Sequence, residues 1–132
     1  MHWIIAAGLS GLAYAVWAFC LRAGTASHNW KQVLFFAAVA EMLVILVYAW
    51  PKTAVQAGAV GWGLGAGLAA VVGYILIVYA LSVSSHSMPV VVSHIYPALA
   101  VVMAFIILHE PMSLERWLGV ALTTAGIWLV VK

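Results

Sequence analysis

One carboxylate, Glu41, interrupts the apolar run FFAAVAEMLVIL of residues 35–46. In a water-soluble helix the acid could face solvent, whereas at the centre of a membrane-spanning helix it costs about 2.5–3.5 kcal/mol to insert. Two interpretations are open. Glu41 is either a protonated acid that hydrogen-bonds helices together, or a carboxylate facing a cavity in which protons and substrate compete for it.

His94 is the second candidate for chemistry, and it lies within SHIYP, three residues before Pro97. Pro97 has no backbone N–H, so it leaves the carbonyl of Ser93 without its helical donor. An imidazole changes charge near neutral pH, and Glu41 and His94 could therefore form a proton relay. The alternative is a neutral histidine hydrogen-bonded to a backbone carbonyl.

Aromatic and hydroxyl side chains could complete a pocket around these two groups. Tyr14 and Trp17 are three residues apart and share one helix face, and tyrosine hydroxyls at membrane depth need partners. A cavity lined by aromatic rings and one acid would suit an organic cation or an amphipathic metabolite. For each residue, packing or an interfacial position is the alternative. The predicted cavity-lining residues are Tyr14, Trp17, Tyr74, Tyr79, Ser93, Tyr96 and Pro97.

Composition indicates that these residues lie in a membrane protein. Of the 132 residues, 67% are apolar and 6% are charged, whereas a globular domain carries roughly 25% charged residues. The net charge of +2 is too small to suggest a nucleic-acid partner. The N-terminal apolar run is longer than a signal-peptide core, which favours a mature membrane protein.

The sequence gives no sign of a metal site, a cofactor or an enzyme. Cys20 is the single cysteine, so neither a disulfide framework nor a cysteine metal site is expected. GWGLGAG is not a phosphate loop, because no strand precedes it and no Lys-Ser/Thr follows it. We find no nucleophile–base pair, and the histidines other than His94 lie near helix ends without converging ligand spacing.

Five apolar spans of about 20 residues each match the length needed to cross roughly 30 Å of hydrocarbon. Trp30 and Trp50 fit the interfacial aromatic belts and place Glu41 about 16 Å from one and 13 Å from the other, near the midplane. We therefore predict an all-α integral membrane protein with a single transmembrane domain over residues 1–132. Its helices are predicted at about 3–21, 30–50, 60–81, 89–108 and 115–131.

Charge does not specify one orientation of this domain. One side of the membrane carries Lys52 and Arg116, and the other carries Arg22, Lys31 and Lys132. A Lys/Arg excess usually marks the cytoplasmic side, and here the counts are nearly equal. Either the single orientation is weakly specified, or the chain has dual topology and oppositely oriented copies pair.

The C-terminal part of the chain resembles an EamA-type repeat of the drug/metabolite transporter superfamily. The matching features are YAL at the end of the third helix, the SVSSHS connection, mid-helix Pro97, the HEP close of the fourth helix, and SLERWLGVALTTAGIWLV. The first helix, LAYAVWAFCLRAG, is compatible with the same repeat. Most such transporters have ten helices in two inverted repeats, so the resemblance implies that this single repeat is completed by an inverted second copy or by a paralogue.

The resemblance implies a secondary active transporter of a small organic metabolite or drug-like compound in the cell (inner) membrane. We expect proton coupling and alternating access in an antiparallel homodimer, with membrane lipid, the second copy and a small-molecule substrate as partners. One alternative is a non-transporting assembly partner that forms half of a heteromeric complex. A lipid-linked-sugar flippase is another.

Overall fold

The computed structural model describes residues 2–132, which form helices joined by short connections. The helices are α1 (His2–Ser27), α2 (Trp30–Tyr48), α3 (Ala57–Val83), α4 (Met88–Ser93), α5 (Tyr96–Ile107) and α6 (Leu114–Val131). Because α4 and α5 lie in one apolar span, the described residues contain five spans long and apolar enough to cross a membrane. The predicted all-α membrane fold with five spans is confirmed.

Local chemistry sets the helix ends. The side-chain oxygen of Asn29 accepts a hydrogen bond from the backbone N–H two residues later, at 2.9 Å, and α2 begins there. Ser113 begins α6 by accepting from the N–H of Arg116 at 3.4 Å, as its Ser-x-Glu sequence predicts. α2 ends at Tyr48, just before Pro51, which cannot continue a helical ladder.

α1 is longer than predicted, because it continues past Leu21 to Ser27. Arg22 does not end the helix. Instead its guanidinium donates to the carbonyl of Leu81 at 3.0 Å, in the last turn of α3, where the helix dipole favours a cation. The arginine is therefore satisfied within the bundle and links the ends of two helices.

The fourth span is broken between α4 and α5, at His94 and Ile95. The N–H of Ile95 bonds to the carbonyl three residues earlier, at 3.2 Å, which is a tighter turn than an α-helix makes. Pro97 then has no N–H to give to the carbonyl of Ser93. The proline thus has the local effect that its position predicts, and it lies in the first turn of α5, directly after the break.

The chain divides into two compact units, residues 1–83 and 84–132. In the first unit α1, α2 and α3 contact one another pairwise. The buried side chains belong to α1 and α3, near the ends of these helices at Ser27 and Val83. These buried residues are Ala18, Leu21, Thr25, Val78 and Leu81.

Packing within the first unit covers only half of each helix. Side chains at 3–16, 40–48 and 57–73 are all exposed in this unit. Contact begins at Trp17 on α1 and at Tyr74 on α3. The three helices therefore pack at one end only, and the boundary between packed and open halves lies about midway along them.

The second unit is built around α6, which contacts both α4 and α5. The rings of Phe105 and Trp117 pack edge to face with their centroids 5.4 Å apart. The Thr123 and Thr124 hydroxyls donate to the carbonyls four residues earlier, each at 2.9 Å. These two threonines thereby satisfy their polar groups without a partner from another helix.

The α1–α2 crossing yields a test of the packed half. A Cβ added to Gly24 would lie 3.1 Å and 3.2 Å from the two methyl groups of Val33, whereas one added to Gly11 would meet nothing within 4 Å. We expect Gly24→Leu to lower the free energy of unfolding by about 1–3 kcal/mol, the usual cost of overpacking. Denaturant titration in detergent micelles measures this change.

Gly11→Leu is the matched control, because it places the same side chain on the open half of the same helix. It should leave the unfolding midpoint nearly unchanged. Equal losses in the two variants would contradict the crossing described here.

Candidate functional site

Three side chains, one from each helix of the first unit, meet at the boundary between its packed and open halves. They are Trp17 of α1, Glu41 of α2 and Tyr74 of α3. Each lies nine to eleven residues from the packed end of its helix, or about 14–16 Å along the helix axis. That distance is about half the hydrocarbon thickness of a bilayer, which is compatible with the midplane position predicted for Glu41.

The central contact of the cluster is a hydrogen bond between Trp17 and Glu41. The indole Nε1–H donates to Oε1 of the carboxylate at 2.9 Å. An indole is a donor only, and a bond to an ionised acceptor is roughly twice as strong as one between neutral groups. The bond holds one oxygen of Glu41 toward α1.

Aromatic rings pack on the α1–α3 side of the acid. The Trp17 and Tyr74 rings are tilted by 40° with their centroids 5.5 Å apart, and Tyr14 packs edge to face on Trp17 at 6.3 Å. Such pairs add about 0.5–1.5 kcal/mol beyond the area that they bury. Tyr14 and Trp17 therefore share one face of α1, as predicted, and the tryptophan ring contacts two tyrosine rings.

The hydroxyl of Tyr74 is buried and makes no hydrogen bond of acceptable geometry with the described residues. It nevertheless lies close enough to Glu41 and Trp17 to interact with both. A buried hydroxyl without a partner costs about 1–3 kcal/mol. The cluster therefore contains an unused polar group beside the carboxylate.

Glu41 also borders an open groove. The groove is a shallow, open depression on the exposed face of α2, and it is lined by Ala40, Glu41, Val44 and Ile45. Apart from the acid, these side chains are aliphatic. The carboxylate is thus held by an indole on one side and borders an apolar groove on the other.

Tyr79 is not part of this cluster. It lies five residues beyond Tyr74 along α3, or about 7.5 Å, and its ring packs on Trp30 with a centroid distance of 5.7 Å. The pair lies at the packed end of the first unit, where α2 begins.

The remaining predicted residues belong to the second unit and surround the α4–α5 break. His94 Nδ1 lies 2.5 Å from the carbonyl oxygen of Val90. A carbonyl only accepts, so Nδ1 is the donor in this bond. A hydrogen bond to a backbone carbonyl is what the alternative interpretation of His94 predicts.

Ser93 and Tyr96 lie beside this imidazole. The Ser93 hydroxyl donates to the same Val90 carbonyl at 2.8 Å, and the Tyr96 ring lies 6.2 Å from the His94 ring. With Pro97 these residues form a polar turn inside an apolar span. Whether any of them lines a substrate cavity stays a prediction.

Sequence reasoning did not single out Ala40 and Val44 as lining residues. Val44 lies three residues after Glu41, which is a spacing that places side chains on one helix face. That signal was available, but every neighbouring residue of α2 is also apolar, so spacing alone did not distinguish a groove from a lipid-facing surface.

None of the described residues forms a group of histidines, cysteines or acids that could hold a metal ion. The acid of the cluster can accept hydrogen bonds, pair with a cation and exchange a proton.

Five spans long and apolar enough to cross a membrane define a multi-pass membrane protein. A sequence model of the EamA-like transporter family matches residues 1–132, and the chain belongs to this family. The resemblance noted in the C-terminal sequence is thereby confirmed over the whole chain. Comparisons with curated proteins and with solved structures found no match.

Family membership indicates a membrane transporter of the drug/metabolite superfamily. Proteins of this family are generally not enzymes. The family match by itself identifies neither a substrate, nor a coupling ion, nor an assembly.

A double-mutant cycle tests the central hydrogen bond. We expect Trp17→Phe and Glu41→Leu to be non-additive in the free energy of unfolding, with a coupling of about 0.6–1.7 kcal/mol, because that range covers measured interhelical hydrogen bonds in membranes. Leucine is used because a glutamine would still accept from the indole. Unfolding in bicelles measures the wild type, the two single variants and the double variant.

Tyr79→Phe supplies the control cycle with Glu41→Leu, because Tyr79 packs on Trp30 instead. Its effect should add to that of Glu41→Leu within about 0.3–0.5 kcal/mol. Additivity in both cycles would rule out a specific Trp17–Glu41 bond.

Proposed function

We propose that this protein is a proton-coupled secondary transporter of a small organic cation or amphipathic metabolite in the cell (inner) membrane. The observation that carries the proposal is the placement of Glu41, which lies near mid-membrane, is held by Trp17 and borders a groove. A charged group at this depth is expensive, and acids at such positions commonly mark substrate and proton pathways in transporters.

Competition for Glu41 supplies the coupling. The ionised carboxylate pairs with a cationic substrate, and a proton that neutralises the carboxylate releases that substrate. The groups beside Glu41 are Trp17 of α1 and Tyr74 of α3, and Tyr14 packs on Trp17. All of them are uncharged near neutral pH, so a cation would meet no competing positive charge from these three side chains.

The open half of the first unit supports assembly as a dimer. Its exposed faces begin at the level of Glu41, so the acid lies at the edge of a surface that another chain could cover. The even distribution of positive charge makes both orientations accessible. Two inverted copies would then place two Glu41 side chains about the membrane midplane, and rocking between the copies would give alternating access.

The two alternative functions, a non-transporting assembly partner and a lipid-linked-sugar flippase, each predict behaviour that differs from that of a proton-coupled transporter. A non-transporting assembly partner would need a paralogue and would move nothing by itself. A lipid-linked-sugar flippase needs polar groups for the hydroxyls of its substrate, whereas the groove beside Glu41 is aliphatic.

Glu41→Gln tests the coupling. A glutamine cannot take up or release the proton, so in proteoliposomes with an imposed pH gradient we expect uptake of a cationic substrate to lose its dependence on the gradient. Glu115→Gln, in the first turn of α6, is the control and should keep that dependence. Unaltered gradient-driven uptake by Glu41→Gln would refute carboxylate coupling.

A reporter fused after Lys132 tests the antiparallel arrangement. We expect signal from both sides of the membrane, because Lys52 and Arg116 on one side nearly balance Arg22, Lys31 and Lys132 on the other. Adding two lysines next to Lys52 should move the reporter to one side. Signal from one side only in the unaltered protein would exclude the antiparallel homodimer.

A further inference from the structure

We infer that Tyr74 is a positioning residue for Glu41, whose hydroxyl donates a second hydrogen bond to the carboxylate and stabilises the ionised form of the acid. For its meaning in transport the inference rests on the proposed function, in which proton and substrate compete for Glu41. It adds a residue from a third helix that sets how readily the acid gives up its proton.

The Tyr74 hydroxyl is a buried polar group that still needs a partner. Its oxygen is shielded from the surroundings and makes no hydrogen bond of acceptable geometry with the described residues. The tyrosine ring packs on the Trp17 indole with a centroid distance of 5.5 Å. Because a buried hydroxyl has lost its bonds to water, its partner must come from the side chains beside it.

The chemistry of the neighbouring groups leaves one acceptor for the hydroxyl hydrogen. Two polar side chains lie close enough to interact with the hydroxyl, the indole of Trp17 and the carboxyl group of Glu41. An indole N–H is a donor only, whereas an ionised carboxylate accepts several hydrogen bonds through its two oxygens. Of these two neighbours, only Glu41 can therefore accept from Tyr74.

Small rotations are enough to make this bond. A hydroxyl hydrogen turns about its C–O bond, and the outermost torsion of a glutamate side chain is broad. The carboxylate already accepts from the Trp17 indole of α1 at 2.9 Å. A bond from Tyr74 adds a donor from α3, so that Glu41 of α2 is held by both neighbouring helices.

Two uncharged donors favour the ionised form of Glu41. A hydrogen bond to an ionised acceptor is roughly twice as strong as one between neutral groups, and protonation of the acid removes that advantage. The described cationic and imidazole side chains of the first unit lie five or more residues along the chain from the nearest member of the cluster. They are Arg22, His28, Lys31 and Lys52. The donors beside Glu41 therefore carry more weight for its ionisation than these more distant groups.

Infrared spectroscopy of the carboxyl group tests the inference without transport. The acidic residues of the sequence are Glu41, Glu110 and Glu115, so a background with Glu110→Gln and Glu115→Gln leaves Glu41 as its single acidic side chain. In lipid nanodiscs, the C=O stretching band of the protonated carboxyl is followed against pH. The spectrum of the same background carrying Glu41→Gln is subtracted, which isolates the band of Glu41.

In this background we expect Tyr74→Phe to move the midpoint of the Glu41 band to higher pH. The variant keeps the ring that packs on Trp17 and removes only the donor. The expected shift is about one pH unit, a tenfold change in the proton dissociation constant, as one hydrogen bond to a charged group would give. Trp17→Phe removes the other donor and should move the midpoint in the same direction.

Tyr79→Phe is the matched control. It removes the same hydroxyl from the same helix at a position where the ring packs on Trp30, and it should leave the midpoint unchanged. An unchanged midpoint in Tyr74→Phe would overturn the inference. A midpoint that moves to lower pH would also overturn it, because the hydroxyl would then be drawing the indole N–H away from the acid.

Failure of this inference can be distinguished from failure of the proposed function. If Glu41→Gln abolishes the gradient dependence of uptake while Tyr74→Phe leaves the midpoint unchanged, the proposed function stands and the role of Tyr74 is overturned. If gradient-driven uptake persists in Glu41→Gln, the proposed function is overturned, and a raised midpoint in Tyr74→Phe still supports the hydrogen bond.

Discussion

The hydrogen bond from Trp17 to Glu41 is the interaction on which the candidate site depends. Hydrocarbon offers a carboxylate no water, so its oxygen atoms must find donors within protein or ligand. Trp17 supplies one donor and itself contacts two tyrosine rings. The aromatic cluster therefore fixes where the acid lies and which of its oxygens is left for other partners.

The location of the buried core explains why the acid lies at a boundary. Leu21 of α1 and Val78 and Leu81 of α3 pack at one end of the first unit, and Gly24 allows α2 to approach closely there. Beyond Glu41 the helices expose their side chains. Close packing holds the acid in place from one side, and the open half keeps the other side accessible.

The sequence was sufficient to predict the five spans, because apolar length reports directly on a bilayer. It was not sufficient to predict that Trp17 would pair with Glu41 while Tyr79 packs on Trp30. These helices are apolar around their whole circumference, so no periodic pattern marks which face of one helix meets another. The sequence also did not predict that α1 continues past Arg22. The partner of the Arg22 guanidinium is the backbone carbonyl of Leu81, and a backbone carbonyl leaves no signal in the residue types.

The break at His94 and Ile95 divides the fourth span into two shorter helices, α4 and α5. At about 1.5 Å per residue, α4 covers about 9 Å and α5 about 18 Å, so neither can cross the hydrocarbon alone. At the joint, the hydrogen bond that residue 97 would give to residue 93 cannot exist. A change of angle between the two segments therefore sacrifices no bond at that position, and it would carry the His94 imidazole with it.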